Sequence, residues 1–296
     1  MGKGPKRFGR GSAKPVTRMD SALTDLFDEA SLLAAMSATE PAPTAPTPKS
    51  GRVVFGNGSQ ELVDSVSSVF KKSALDRTAK VEHLHVIDAN GNEIGHNVGK
   101  KHSVGFNFPQ KILDSIEYAT HNHPGLTTFS PQDVRGSLSL RIPNIEAVSS
   151  LIPAKKLKHY QSVFDHFITS LDLYGEGAFG LEDPDVKMLI DAAKMFLSET
   201  KTGYRYTLIN SDPKKLDYNQ IHENAQPLTD IWTKLGARAN LVKTTTDAAK
   251  ILVQNGVSSK DAVNIANMAA NILIQHVGMQ QVIAKNPNLT YSVEFE

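Results

Sequence analysis

The chain contains no cysteine. That excludes disulfides, thiolate nucleophiles and thiolate metal sites, so any bound metal must be held by His, Asp, Glu or water. No stretch of about 18 apolar residues exists, which excludes a membrane-spanning helix. The N-terminus is basic but lacks the apolar run of a secretory signal. Lys6 stands where a myristoylation signal after Gly2 needs Ser or Thr. The formal net charge is only +1, so no global field draws the chain to nucleic acid or membrane. There is no internal repeat. These absences leave a chain without membrane contact, cytoplasmic in a host cell or carried in a virion, as the expectation.

What is present is unevenly distributed. The first acid is Asp20, and before it stand Lys3, Lys6, Arg7, Arg10, Lys14 and Arg18. Residues 1–18 therefore read as a disordered basic arm. Asp20 to Met36 has Leu23, Leu26, Phe27, Ala30, Leu32 and Leu33 near one stripe and Asp20 and Asp25 at the favourable end of a helix. Pro41 to Pro48 follows as a semi-rigid Pro/Thr linker. A short helix between an arm and such a linker cannot bury its apolar face locally, so docking on another protein competes with a weakly helical tail. Three regions result: 1–50 as arm, helix and linker; 51–215 as a globular domain with a helical insertion at about 154–200; and 216–296 as a mostly helical C-terminal region.

Within the globular part, 59–72 has helical spacing and Glu82 to Asp88 reads as a strand. In that strand Glu82, Leu84 and Val86 share one face, and His83, His85 and Ile87 the other. Ala89-Asn90-Gly91-Asn92 is a hairpin turn by its Asn-Gly pair. A strand from Glu93 follows, a third is expected around His102 to Phe106, and Pro109 suits the first turn of a helix whose stripe is Ile112, Leu113 and Ile116. After Asp133 a short helix runs to about Leu140. Ile145 to Leu151 and Tyr204 to Ile209 read as strands, with helices at 154–171 and 184–199 between them. Residues 226–280 are mostly helical, capped at Ser258 or Ser259, and Thr290 to Phe295 reads as a terminal strand.

The chemistry concentrates at His121-Asn122-His123-Pro124 and Ser130-Pro131-Gln132-Asp133. Two histidines two apart on an extended chain present both imidazoles on one side, which suits two ligands on one ion. Ser130 is a good helix N-cap and Pro131 fits the first turn. Asp133 then falls at the third helical position, where the helix dipole lowers its pKa and keeps it an anionic ligand. Two neutral imidazoles and one carboxylate make a three-ligand Zn2+ site with a position left for water. Ser-Pro-Gln-Asp alone is an ordinary capping sequence and His-x-His alone is common; their combination is the specific signal.

His-Asn-His-Pro followed by Ser-x-x-Asp resembles the JAMM (MPN+) metalloprotease superfamily, with the wording of its RadC-like and phage-associated branches. The resemblance covers roughly residues 80–152, with Tyr204 to Ile209 as a last strand. Here six residues separate His123 from Ser130 where many members have seven. The resemblance implies a three-layer α/β/α core in an α/β (α+β) fold. It implies that His121, His123 and Asp133 bind zinc and that Ser130 helps hold the oxyanion or the bound water. An upstream Glu would act as general base on that water and then as acid to the leaving amine. Glu82 is favoured, because sharing a face with Leu84 and Val86 would partly bury its carboxylate and raise its pKa. Glu93, beyond the turn, is the alternative.

Three functions compete on these residues. One is a zinc-dependent peptidase or isopeptidase acting on a peptide or protein substrate. Another is a phage or prophage head-associated structural protein carrying an accessory or inactive JAMM-like domain, with the 20–36 helix docking on other structural proteins. The third is a nucleic-acid-associated factor that uses the basic arm.

Overall fold

A computed structural model of the chain describes residues 51–71, 77–174, 184–236 and 239–296. The basic arm, the 20–36 helix and the Pro/Thr linker lie outside the described residues. The element order is β1 (Arg52–Gly56), α1 (Gln60–Phe70), β2 (His83–Ile87), β3 (Glu93–Val98), α2 (Gln110–Leu113), β4 (Tyr118–His123), α3 (Pro131–Leu140) and β5 (Asn144–Ser149). Then come α4 (Ala154–Tyr174), α5 (Pro184–Ser198), β6 (Tyr204–Asn210), α6 (Tyr218–Gly236), α7 (Ala239–Gln254), α8 (Ser259–Lys285) and β7 (Leu289–Phe295).

The strands form one seven-stranded sheet in the order β1-β7-β6-β5-β4-β2-β3. Only β4 and β5 run parallel. A parallel neighbour needs a crossover, and α3 supplies it. Strand alternation divides the sheet into two faces. Val54, Tyr118 and Ile209 point to the outer face, where Val63, Val66 and Phe70 of α1 cover them. Phe55, Leu84, Val86, Ala119, Ala147, Tyr206, Tyr291 and Val293 point to the inner face and join the main core with residues of α3 to α8. The fold is thus mixed α/β, with helices on both sides of the sheet.

The C-terminal strand is central to this arrangement. β7 lies between β1 and β6, paired antiparallel with both. α8, which leads into it, packs most heavily on α6. Gly278 permits that approach, since a Cβ there would lie 2.8 Å from the Ile231 side chain and 3.3 Å from the Leu228 backbone. Among the described residues, no helix is long and apolar enough to cross a membrane.

Three local expectations change. Residues 102–106 form no strand; Lys100 and Ser103 make only an isolated bridge. The helix at 110 is four residues long, with Pro109 as its N-cap rather than in its first turn. The β2–β3 turn is not a two-residue Asn-Gly turn. It spans residues 88–92, only Gly91 has positive φ, and the Asp88 carboxylate accepts the Asn90 and Asn92 amides at 2.9 Å each. An Asx-type turn of this kind lets Asp do locally what a second positive-φ residue would otherwise do.

The outer face also carries a buried ionic row. Glu146 is fully buried; its carboxylate accepts from Thr120 Oγ1 at 2.6 Å and from the Arg205 guanidinium at 2.6 Å. Burial pushes the Glu146 carboxyl up, against the pull of Arg205 and Thr120. Arg205 also bridges to Glu296, and Glu294 joins Arg52 and Lys71 to the row. Removing one partner of such a pair strands a charge. Arg205→Met should lower unfolding free energy by about 3 kcal/mol, and adding Glu146→Gln should recover part of it. Urea melts of the two variants check this; equal losses in both would refute it.

Candidate metal centre

Register builds the site before any side chain is considered. β2 pairs antiparallel with β4 so that Leu84 faces His121 and Val86 faces Ala119. Paired residues share a face, so Leu84 and Val86 lie on the inner face with His121 and His123. Glu82 continues the Leu84 side of β2. Its backbone is held on the other flank by β3, its N–H donating to the Lys100 carbonyl at 2.8 Å and its carbonyl accepting from Gly99 at 2.8 Å. Glu93 belongs elsewhere. It is exposed and contacts His85 Nδ1 at 3.1 Å, and His85 alternates to the outer face. His83 and His96 share that face, with ring nitrogens 3.2 Å apart.

The second half of the site comes from the α3 N-terminus. The Ser130 hydroxyl accepts the Asp133 N–H at 3.2 Å, and Asp133 Oδ2 accepts the Ser130 N–H at 2.7 Å. This capping box fixes the Asp133 rotamer as well as the helix start. It aims one carboxylate oxygen at each imidazole, at 3.5 Å from His121 Nε2 and 3.5 Å from His123 Nε2. The two Nε2 atoms are 2.9 Å apart. Three ligand atoms thus converge on one point, and among the described residues this is the one group of His, Asp and Glu close enough to hold a metal ion.

The loop between β4 and α3 sets the histidine tautomer. His123 Nδ1 donates to the Thr127 carbonyl at 2.9 Å, which leaves the Nε2 lone pair of a neutral ring for the centre. Ser150 N–H reaches the carbonyls of His123 and Gly125, and Tyr206 Oη donates to the Leu126 carbonyl at 2.7 Å. Tyr291 Oη donates to Thr128 Oγ1 at 3.1 Å, and Phe129 is fully buried. The loop is held on both sides of Thr127, at Gly125 and Leu126 before it and at Thr128 and Phe129 after it, which fixes the carbonyl that orients His123.

The electrostatics follow from burial and charge. Burial pushes the Glu82 carboxyl up to about 7; the charge of His123 opposes this and that of Asp133 adds to it. Burial raises Asp133 too, but the charges and hydrogen bonds of His121 and His123 outweigh it and hold this acid well below its usual value. Burial lowers His123, yet the Asp133 hydrogen bond and charge, the Thr127 carbonyl and Glu82 raise it overall. A proton on His123 and a cation at the centre would therefore compete for the same Nε2 lone pair beside the Asp133 carboxylate. Binding of a cation would release protons to the extent that this ring is protonated. The donor set also fits. Two imidazoles and one carboxylate, with no thiolate, suit a borderline divalent ion such as Zn2+ and leave a coordination position for water or substrate. Glu82, only 6% exposed, is a second acid near the group but not one of its convergent ligands.

No protein-family model, curated protein or solved structure matches the chain. The centre must therefore be judged on its own residues. His121, His123 and Asp133 are brought together, Glu82 lies on their face, Ser130 caps the helix that carries Asp133, and Glu93 is remote. The sequence reading missed Asn122, which is fully buried between the histidines and bonds to the backbone beside Glu82. It also missed Thr127, Tyr206 and Tyr291. Asn between two ligands was itself a signal, because an amide buried on the opposite face must find partners.

The raised Glu82 pKa has a definite sign in stability. Between about 4.5 and 7 the folded state binds more protons at Glu82 than the unfolded state, so stability falls as pH rises through that window. Glu82→Gln removes the penalty. In chelator-treated protein the variant should gain about 2 kcal/mol over the parent at pH 8, and the gap should close as pH drops below about 4.5. Chemical melts across that range check this; a pH-independent gap would show that Glu82 is not strained by ionisation.

Proposed function

We propose that this chain is a zinc-dependent metallohydrolase of JAMM type, a peptidase or isopeptidase that cleaves an amide bond in a peptide or protein substrate. One observation carries the reading. Two facing imidazole Nε2 atoms and a carboxylate with one oxygen toward each leave a separate buried carboxylate, Glu82, on the same sheet face. A structural metal site has no use for a spare acid with a pKa near 7. A hydrolytic one needs it.

His121, His123 and Asp133 would hold the zinc. When bound, Zn2+ would supply Lewis-acid polarisation of the substrate carbonyl and a lowered pKa for water. The remaining work belongs to the protein. Glu82 takes the proton from the attacking water as the C–O bond forms, then delivers it to the amide nitrogen as the C–N bond breaks. A carboxyl held near 7 can do both at neutral pH, because neither protonation state is out of reach. His123 stays in one tautomer through Thr127, so its Nε2 is not diverted to proton transfer. Asp133 stays anionic through the charges and hydrogen bonds of His121 and His123, and the α3 cap fixes its rotamer. The Ser130 oxygen accepts the cap hydrogen bond, which leaves its own hydrogen free to donate to the developing oxyanion.

The test combines metal analysis with turnover. Reconstituted protein should carry one zinc per chain, and His121→Ala with His123→Ala should carry none. Glu82→Gln should keep its zinc but lose a hundredfold or more, roughly, in cleavage of a fluorogenic peptide library or of an isopeptide-linked counterpart. Failure of the parent chain to take up zinc would sink the reading.

A further inference from the structure

We infer that Asn122 is a positioning residue for Glu82: its carboxamide clamps the backbone on both sides of that residue and so holds it on the sheet face that carries His121 and His123. The inference rests on the metallohydrolase reading, since it assigns Asn122 a role through the general base of that reaction.

The geometry is specific. The His83 N–H donates to Asn122 Oδ1 at 2.6 Å, and Asn122 Nδ2 donates to the Val81 carbonyl at 3.1 Å. These two backbone groups flank Glu82 and face away from β3. In a continuing sheet they would bond to the β4 backbone. They do not, because the β2–β4 pairing stops at Leu84 and His121, and Pro124, opposite Val81, has no N–H to offer. The Asn122 amide takes the place of the missing backbone, one donor and one acceptor at the right spacing. On the opposite flank, Lys100 and Gly99 of the β3 side hold the Glu82 N–H and carbonyl. Glu82 is thus fixed from both sides at a point where strand pairing has otherwise stopped.

Only an amide fulfils this role. A flipped Asn122 would set Nδ2 against the His83 N–H and Oδ1 against the Val81 carbonyl, so the orientation is dictated by its partners. Asp offers no donor to Val81, and Ala or Leu offers nothing. Strand alternation explains why one short motif serves two purposes. His121 and His123 go to the inner face as ligands, and Asn122, between them, goes to the other side, where it can reach the neighbouring strand. The precision needed is that of a base that must meet a water proton within hydrogen-bond reach.

The test uses Co2+ in place of zinc, because its visible spectrum reports occupancy without a substrate. Acetohydroxamate is the probe, since it chelates a site metal and donates a hydrogen bond to an adjacent carboxylate. Asn122→Ala and the near-isosteric Asn122→Leu should each bind one Co2+ per chain, yet bind acetohydroxamate about tenfold more weakly than the parent. Glu82→Gln should show a similar loss, and Asn122→Ala in that background should add little. A full additional loss in the double variant, or unchanged affinity in both Asn122 variants, overturns the positioning role. Should neither variant fold, amide exchange in the parent decides. The clamp requires slow exchange of the His83 N–H, and exchange at the free-peptide rate rules it out. No Co2+ binding by the folded parent chain would instead fail the metallohydrolase reading, and the role with it.

Discussion

The candidate centre depends on the register between β2 and β4. With Leu84 opposite His121, the side-chain period of two puts Glu82, His121 and His123 on the same face of adjacent strands. A slip of one residue would send Glu82 outward and bring His83 in. Two features oppose that slip. Leu84 and Val86 are buried on the inner face, so a slip would expose both. The Asn122 amide matches the backbone of residues 81 and 83 in one register only. The constraint that packs the core and the one that aligns the site are therefore the same.

The contribution of α3 is of another kind. It brings Asp133 from the far side of a loop, and loops are ordinarily the least precise way to place a ligand. Here the imprecision is removed twice. The capping box locks Asp133 to the helix start, and the inner-face tyrosines Tyr206 and Tyr291 hold the loop by Leu126 and Thr128. Tyr291 is itself hydrogen-bonded to His276 of α8, which burial holds near pKa 3 and so neutral. The helical layer thus reaches the site through polar contacts in a dry core, where an unmet partner would be costly.

The parts of the site that obey short-range rules were legible. His-x-His on a strand and Ser-x-x-Asp at a helix start each follow from local geometry, and the structure contains both as expected. Strand alternation separates Glu82 from His83 and His85, but the face that Glu93 takes depends on the β2–β3 register and its shift between Val86 and Ile87. What was illegible is long-range. Tyr206 and Tyr291 lie 80 and 163 residues from the loop atoms they hold, and no local pattern announces such contacts. β1 is a five-residue strand whose place in the sheet comes only from its pairing with β7. The expected strand at 102–106 failed because alternation in a short segment is no guarantee of a partner to pair with.

The outer face shows why the site's field can be simple. Glu146 pairs in register with Thr120, the residue next to His121, so an uncompensated charge there would lie one strand from the candidate ligands. Arg205 compensates it, and Arg205 is in turn held by Glu296. The sheet keeps that ionic row on one face and the centre on the other. Inside the centre only Asp133, His121, His123 and Glu82 then set the balance. Asp133 is stabilised as an anion, whereas Glu82 is not, although both are carboxylates held beside the same imidazoles. The difference is that the charges and hydrogen bonds of both rings outweigh burial at Asp133, whereas at Glu82 burial outweighs the opposing charge of His123. Two acids with opposite shifts at one site are what the proposed reaction would need as a ligand and a proton carrier.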